Sequence, residues 1–227
     1  DGASAYDELL RLIHGAQHSI HAMTFILGRD PVGRAIVEAL AAKAREGVKV
    51  RLLLDSLGCL KTRGRFVQPL RGAGGEVGVF MPMLPLRRKW SAHLRNHRKI
   101  VVVDGEVAMI GGMNLSRNFM GPGEDPERFV DAAVFLRGPA VHDADMIFAS
   151  DWEFTTEQQI TPAPLSPPRP GDTADLQLIA SGPDVPGDPL YEGILTMIQE
   201  TKQSLVIVTP YFIPDEVLMR SLMVMSL

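Results

Sequence analysis

The chain contains an internal repeat: its beginning lies over its end when the sequence is shifted by 185 residues. Without any gap, Thr24 falls on Thr209 and Asp30 falls on Asp215. Each copy predicts a helix, an apolar strand, a loop with Asp and a second helix. Two unrelated strand–helix units that share common residues are the alternative, but identities of such different types at one offset favour a duplicated unit. We therefore expect one complete repeat and the beginning of a second. Further pairs at this offset are Tyr6 with Tyr191, Leu10 with Leu195, Ile13 with Ile198, Ser19 with Ser204 and Val32 with Val217.

Hydrophobic spacing predicts an α/β fold class, a mixed β-sheet flanked by helices. A first helix precedes two apolar runs, 20–27 and 48–54, which are predicted strands on either side of a helix over 31–47. This order is typical of a parallel sheet covered by helices. Asp104-Gly105 lies between two apolar runs and predicts a tight hairpin. The remaining elements predicted in this half are strands over 76–81, 100–103, 107–110 and 130–136, and a helix over 140–154.

The repeat and the proline content predict the domain organisation. Residues 1–160 form a first domain, and 174–227 begin a second one. Between them, 161–173 is a Pro-rich linker, with five prolines in the eleven residues from Thr161 to Gly171. The second domain is predicted to contain strands over 174–180 and 205–209 and a helix over 190–201. A chain of 227 residues has room for one large domain or two small ones.

Composition excludes several classes of protein. With 45% hydrophobic and 22% charged residues, the chain is neither disordered nor collagen-like. A net charge of −4 argues against a general polyanion binder. The single cysteine, Cys59, forms no internal disulfide or multi-cysteine zinc site and favours a reducing compartment. No uncharged apolar run approaches the roughly 18–20 residues of a membrane span, and we expect no signal peptide.

The residues from His97 to Asn114 suit the chemistry of a phosphate ester. His97 and Lys99 are two residues apart at the head of a predicted strand, so they share one face. Gly112 and Asn114 follow the return strand of the hairpin. An imidazole can attack phosphorus, while an ammonium and an amide can bind its oxygens without a metal.

These residues resemble the signature of the phospholipase D superfamily, which is His-x-Lys, four residues, Asp, and then Gly-Gly or Gly-Ser and Asn. Here the signature reads His97, Lys99, Asp104 and Gly111-Gly112-Met113-Asn114. Further segments are similar to its bacterial cardiolipin synthase branch, and they extend over nearly the whole chain: RLLLDSLG, NHRKIVVVDG, GPAV with a later DW, SGPD and TPYFIPDE. The resemblance implies a phospholipase D-like fold and transfer of a phosphatidyl group through a phosphohistidine, with no cofactor or metal.

The resemblance also implies residue roles. His97 would be the nucleophile or the acid–base partner of a second histidine, and Lys99, Gly112 and Asn114 would bind the phosphate. Asp131 matches an acidic residue that in the family is hydrogen-bonded to the catalytic imidazole. Asp104 is part of the catalytic motif, although a role in shaping the turn is preferred to one in proton transfer.

No metal site is expected, and the polar residues outside the motif are assigned structural roles. His93 and His97 are four residues apart and would bind a metal on a helix, but no HExxH pattern accompanies them. Asp143, Asp145 and His142 fall at a helix start, where acidic residues are ordinary. The remaining histidines, His14, His18 and His21, are expected on the surface or in the core, and Cys59 lacks an evident histidine partner.

A basic stretch interrupts the acidic chain. No acidic residue lies between Glu76 and Asp104, and the apolar Trp90 and Phe80 are interleaved with the cations. This composition suits anionic lipid headgroups, a nucleic-acid backbone or a solvated basic loop. The six cations are Arg87, Arg88, Lys89, Arg95, Arg98 and Lys99.

The resemblance favours an enzyme that joins phosphatidylglycerol to a second phospholipid. A phospholipase D hydrolase, a nuclease of the same superfamily and a non-catalytic lipid- or phosphate-binding module are the alternatives. The expected partners are an anionic phospholipid, a membrane surface and a second motif, supplied beyond Leu227 or by another chain. Nucleic acid is less favoured. The expected location is cytoplasmic, peripheral to or anchored at the inner membrane.

Overall fold

A computed structural model describes residues 1–81, 95–167, 174, 176–181, 185, 187–207, 209 and 212–226. Six strands and six α-helices lie within these residues. A single 3-10 turn, Arg65–Val67, precedes the third helix. In chain order the elements are α1 (Gly2–Gly15), β1 (Ser19–Thr24), α2 (Pro31–Arg45), β2 (Lys49–Asp55), α3 (Gln68–Gly72), β3 (Glu76–Phe80), β4 (Ile100–Val103), β5 (Val107–Gly111), β6 (Ala133–Arg137), α4 (Ala140–Thr156), α5 (Pro189–Glu200) and α6 (Glu216–Met225).

The six strands form one mixed sheet in the order β3-β2-β1-β4-β5-β6. The first three strands are parallel, because α2 and α3 carry the chain back between them. β4 then pairs antiparallel with β1, with Met23 opposite Ile100, and β5 and β6 continue antiparallel. The predicted mixed sheet flanked by helices is therefore confirmed.

Helices cover both faces of this sheet. On one face, α1 and α2 bury Leu9, Ile36 and other apolar residues against Ile20 and Leu52. On the opposite face, α4 buries Phe148 and Trp152 against Met23, Leu53 and Phe80. The alternation of buried side chains along β1 and β4 provides both faces with apolar surface, which is why a two-sided core forms.

The hairpin between β4 and β5 is formed as the sequence predicts. Asp104 and Gly105 have φ values of 53° and 65°, the left-handed pair that a type I′ turn requires. Glycine adopts this conformation without strain, and Asp is among the few other residues that tolerate it. The turn places β4 and β5 side by side, with Ile100 opposite Ile110. The starting residue of β4 and the final residues of β5 thus meet at one sheet edge.

The chain divides into two compact units, 1–178 and 179–227. The helices of the second unit lie at the offset predicted by the repeat: α1 and α5 end 185 residues apart, and α2 and α6 begin 185 residues apart. Both second helices have the same cap, because Asp30 accepts from the backbone N–H of Gly33 and Asp215 from that of Leu218. These caps satisfy helix N–H groups that would otherwise have no partner. The domain boundaries at 160 and 174 stay predictions.

Two predicted strands are wrong for the described residues. The segments 176–180 and 205–207 adopt no strand conformation there. A strand needs a neighbouring strand for its backbone groups, and no sheet partner is present among the described residues of the second unit. Its apolar residues, such as Val206 and Ile213, are instead highly exposed. In the part of the chain that the structure describes, no helix is long and apolar enough to span a bilayer.

Candidate active site

The candidate site lies at the sheet edge where the parallel strands end. β1 and β2 run toward this edge, and β4 starts there because it is antiparallel to β1. His97 and Lys99 therefore lie just before β4, while Asn114 follows β5 and Asp131 precedes β6. Polar residues from distant parts of the sequence are brought to one edge by the topology of the sheet.

His97 and Lys99 share one aromatic surface. The imidazole of His97 stacks on the ring of Phe25, with 3.9 Å between centroids and 27° between planes. The Nζ of Lys99 lies 5.6 Å from the centroid of the same ring and donates a 2.6 Å hydrogen bond to the carbonyl of His97. His97 stays accessible to solvent, whereas Lys99 is half-buried. A histidine and a lysine are thus presented together, as their spacing predicts.

The surroundings lower the pKa of both groups. For the His97 imidazole, partial burial is the largest cause, the positive charge of Lys99 adds to it, and the carboxylate of Asp55 opposes it. Burial likewise lowers the pKa of the Lys99 ammonium, and Asp131 opposes that shift. A lowered imidazole pKa favours the neutral ring at pH 7, which is the nucleophilic form.

Asn114 is buried and has a fixed orientation. Its Oδ1 accepts hydrogen bonds from the backbone N–H of Ile26 at 2.9 Å and from the Thr24 hydroxyl at 3.5 Å. Only its Nδ2 group can then donate to a phosphate oxygen. The bond to Ile26 also connects the end of β5 with the loop that carries Phe25.

Gly112 lies directly against the side chain of Asp131. A Cβ on Gly112 would overlap the Asp131 carboxylate, so a side chain there would displace that group. The N–H of Gly112 donates to the carbonyl of Ala132 at 3.1 Å and is used within the sheet. Gly112 thus contacts a carboxylate and donates its N–H to a protein acceptor, and its role in binding phosphate stays a prediction.

Asp131 acts on Lys99 in the described structure. Its Oδ1 accepts from the N–H of Ala132 at 2.7 Å, and its charge partly opposes the lowering of the Lys99 pKa by burial. The expected hydrogen bond from the His97 imidazole to the Asp131 carboxylate is not formed among the described contacts. The acidic residue whose charge reaches His97 is Asp55, at the end of β2.

Asp104 lies at the opposite end of β4 from His97. Its carboxylate accepts hydrogen bonds of 2.7–2.9 Å from the backbone N–H groups of Gln17, His18 and Ser19. These bonds attach the hairpin turn to the loop between α1 and β1. The position separates Asp104 from the other motif residues and suits the role in shaping the turn.

Sequence reasoning missed the anchors of the segment that carries His97. Asp151, on α4 and fully buried, accepts from Asn96 Nδ2 at 2.7 Å and from Arg98 Nη1 at 2.5 Å. Asp55 accepts from the N–H of Asn96 at 3.3 Å. Both neighbours of His97 are therefore bound by carboxylates. Asp151 is the acidic residue of the DW segment, and the sequence signal for its role is a carboxylate on a helix with many apolar residues.

The remaining polar candidates have structural partners. His21 is buried and lies 2.6 Å from Asp145, and its ring stacks on Phe148. The ring of His142 contacts the carbonyl of Ala163 at 2.7 Å. The described residues contain no group of three potential metal ligands, and His93 lies outside them.

The cations of the basic stretch that are described are held by protein groups. Arg95 donates to the Ser56 hydroxyl at 2.9 Å and to the Met81 carbonyl at 3.1 Å. Arg98 bonds Asp151, and Lys99 bonds His97. These contacts give the cations defined positions beside the site. Arg87, Arg88, Lys89 and Trp90 lie outside the described residues.

Comparison with known proteins assigns a family to this arrangement. A family model described as "Cardiolipin synthase, PLD-like domain" matches residues 9–152. The cardiolipin synthase of Geobacillus thermodenitrificans is 37% identical over 229 residues, which are 99% of this chain and 45% of that protein. The major cardiolipin synthase of Bacillus subtilis is 35% identical over 230 residues, or 100% of this chain and 48% of that protein. The chain thus spans about half the length of these relatives.

Solved structures share the fold. The phosphatidylserine synthase of Haemophilus influenzae matches with a TM-score of 0.67 and 16% identity, covering 99% of this chain and 57% of that one. Nuc, a phospholipase D family member from Salmonella typhimurium, matches with a TM-score of 0.50 and 20% identity, covering 66% of this chain and 88% of that one.

Proposed function

The chain belongs to the cardiolipin synthase family of phospholipase D-like domains, and we propose that it carries one half of a phosphatidyltransferase site. The observation that supports this most directly is the presentation of His97 and Lys99 on one aromatic ring. There the imidazole is solvent-accessible and its pKa is lowered. The proposed reaction moves a phosphatidyl group from phosphatidylglycerol to a second phospholipid. Its products are cardiolipin and glycerol.

The proposed first step is attack by a neutral ring nitrogen of His97 on the phosphorus of phosphatidylglycerol. A P–N bond forms while the P–O bond to the glycerol alkoxide breaks, and that oxygen takes a proton. In the second step the hydroxyl of another phospholipid attacks the same phosphorus, loses its proton to a base and breaks the P–N bond. His97 is thereby restored, and each half of this ping-pong sequence is a displacement at phosphorus.

Neighbouring groups stabilise the negative charge on the oxygens of the five-coordinate phosphorus. The Lys99 ammonium supplies a positive charge and the Asn114 Nδ2 group supplies a hydrogen-bond donor to the non-bridging oxygens. The charge of Asp131 opposes the lowering of the Lys99 pKa by burial, which favours the charged ammonium. Because these groups act on oxygen directly, no step is assigned to a metal or cofactor.

The proton donor and acceptor are proposed to come from a second copy of the motif. The 185-residue repeat supports this, since Tyr191, Thr209 and Asp215 match the first copy at a constant offset. The second copy would belong to the same longer protein or to another chain. In this proposal residues 1–160 form the first domain, 161–173 the linker and 174–227 the start of the second domain.

The substrate places the site at a membrane surface. A diacyl lipid stays in its bilayer during the reaction, so the sheet edge with His97 has to reach the headgroup region. We accordingly propose an anionic phospholipid as the partner and a peripheral or anchored position at the cytoplasmic face of the inner membrane. Basic residues near the site would add attraction to anionic headgroups.

Covalent trapping tests the chemistry. After incubation with phosphatidylglycerol vesicles, the peptide that contains His97 should carry an acid-labile phosphatidyl group detectable by mass spectrometry. His97→Ala should abolish this adduct, whereas His18→Ala, at an exposed and remote histidine, should leave it unchanged. A full yield of adduct in His97→Ala would show that His97 is not the nucleophile.

Product analysis distinguishes the proposed reaction from its alternatives. The products that the full-length protein forms from phosphatidylglycerol should be cardiolipin, identified by lipid mass spectrometry, and one glycerol for each cardiolipin. Phosphatidic acid alone would indicate a hydrolase instead, and vesicle binding without turnover would indicate a binding module. Nicking of plasmid DNA that is lost in His97→Ala would indicate a nuclease.

A further inference from the structure

Phe25 connects the two groups proposed to act on phosphate, although neither composition nor motif spacing singles it out. One face of its ring carries the His97 imidazole at a centroid distance of 3.9 Å, and the Lys99 Nζ lies 5.6 Å from the same centroid. Phe25 itself is half-buried. A single side chain is therefore in contact with the proposed nucleophile and with the proposed phosphate-binding cation.

The backbone around Phe25 is held by contacts from two segments, the loop after β2 and the residues that follow β5. The Cys59 thiol donates to the Phe25 carbonyl at 3.3 Å and accepts from the N–H of Leu27 at 3.2 Å. Asn114 accepts from Ile26, and the N–H of Leu115 donates to the Ile26 carbonyl at 3.1 Å. Bonds to Phe25 itself and to the two residues after it restrict the direction in which the Phe25 side chain can point.

Close packing adds to this restriction. A Cβ on Gly58 would overlap the carbonyl of Phe25, so the loop after β2 lies directly against this residue. The Thr62 hydroxyl donates to the Leu27 carbonyl at 3.0 Å from the same loop. The ring thus stands on a backbone that is held on consecutive residues.

We propose that Phe25 is a positioning residue for the phosphate site, a rigid aromatic platform that sets the orientation of the His97 imidazole and its distance from the Lys99 ammonium. The inference rests on the proposed function, since it assigns Phe25 a role in the same reaction. Phe25 acts through His97 and Lys99, and no contact of its own with the substrate is required.

A platform of this kind removes two costs from the reaction. Stacking selects one orientation of an imidazole that would otherwise rotate in solvent, which brings the nitrogen closer to a reactive geometry before substrate arrives. The ring also excludes water from one imidazole face, which helps to keep the nitrogen neutral. Among the charged groups acting on that imidazole, Lys99 works in the same direction and Asp55 opposes it.

Substitutions at Phe25 separate the platform from general packing. Phe25→Tyr retains an aromatic face, Phe25→Leu retains apolar volume without that face, and Phe25→Ala removes both. Because Phe25 is only half-buried, the Leu and Tyr variants are expected to fold, which far-UV circular dichroism will check. The effect on the rate of phosphatidyl-His97 formation is expected to be largest in Phe25→Ala, smaller in Phe25→Leu and smallest in Phe25→Tyr, which should behave much like the original protein.

The readout is the pH dependence of histidine carbethoxylation, followed for each histidine by mass spectrometry. In Phe25→Ala the apparent pKa of His97 should rise toward the ordinary value of 6.5, because water returns to the exposed face of the ring. The exposed His14 and His18 are controls within the same molecule and should not change. An unchanged His97 profile in Phe25→Ala would overturn the platform, and so would phosphatidyl-His97 formation in Phe25→Leu as fast as in the original protein.

Adduct formation then separates the platform from the proposed chemistry. Phe25→Ala should slow phosphatidyl-His97 formation about tenfold, with little change in the lipid concentration that gives half the maximal rate. If the protein with both copies of the motif forms no adduct but its carbethoxylation profile shifts in Phe25→Ala, the proposed transfer is wrong and the platform stands. If the adduct forms equally fast in Phe25→Ala, the platform is wrong and the transfer stands.

Discussion

Replacing Asp151 by Asn removes a buried negative charge and keeps the shape of the side chain. Asp151 is fully buried and accepts from Asn96 at 2.7 Å and from Arg98 at 2.5 Å. An Asn side chain can still accept one of these bonds, but its amide group would face the other donor. The Arg98 side chain is only 14% exposed, so water cannot fully replace the lost carboxylate.

The expected cost follows from these two contacts. Removing one partner of a buried ion pair costs about 3–5 kcal/mol, and the partial exposure of Arg98 places this case near 3 kcal/mol. With a urea m-value of about 2 kcal/mol per molar, the unfolding midpoint of the first unit should fall by about 1.5 M. Circular dichroism in urea measures this midpoint directly.

A matched control removes an ion pair at the surface. Glu8→Gln breaks the contact with Arg11, whose side chain is 59% exposed, and the midpoint should hardly move because water replaces that contact. The double variant of Asp151→Asn with Arg98→Gln should recover part of the loss, since the cation that faced the lost carboxylate is also removed. Equal midpoints for Asp151→Asn and Glu8→Gln would refute the role of Asp151 as an anchor.

Three further changes test other groups of the fold and site. Asp131→Asn should lower the pKa of Lys99 further, because the charge that opposes its lowering is lost. The pH at which amine acetylation of Lys99 reaches half its maximal rate should therefore fall, and an unchanged profile would contradict this coupling. Burial raises the pKa of the Cys59 thiol from 9.0 to about 11. At pH 8 its alkylation by iodoacetamide should therefore be about a hundredfold slower in the folded chain than in urea, and similar rates would show an accessible thiolate. Asp104→Asn should lower the free energy of unfolding, measured in urea, by about 1–2 kcal/mol because it weakens three charge-assisted hydrogen bonds. The carbethoxylation of His97 should stay unchanged, and a change there would mean that Asp104 acts on the site.

The sheet of the first unit was predictable because its strands are continuous apolar runs bounded by strong signals. Pro31 and Gly47 limit the helix between β1 and β2, and Asp104-Gly105 fixes the hairpin register. Similar apolar runs over 176–180 and 205–207 did not form strands in the described structure. Local composition predicts that a segment can pair, but pairing also needs a neighbouring strand, which periodicity alone does not reveal.

The site was predictable where its residues are close in sequence. The hairpin explains why Asn114 returns to the edge that carries His97 and Lys99. The anchors Asp55 and Asp151 lie 41 and 55 residues from Asn96, so no local pattern connects them. Contacts of this length depend on how α4 packs across the sheet, which became visible only in the structure.

One helix fastens two separate parts of the sheet. On α4, Asp145 contacts His21 in the middle of β1, and Asp151 binds Asn96 and Arg98 at the edge. A single inserted residue between the two carboxylates would rotate one relative to the other by about 100°. Length changes in this stretch of α4 should therefore be far less tolerated than substitutions on its outer surface. Relatives that keep this network should accordingly keep the six-residue spacing between Asp145 and Asp151.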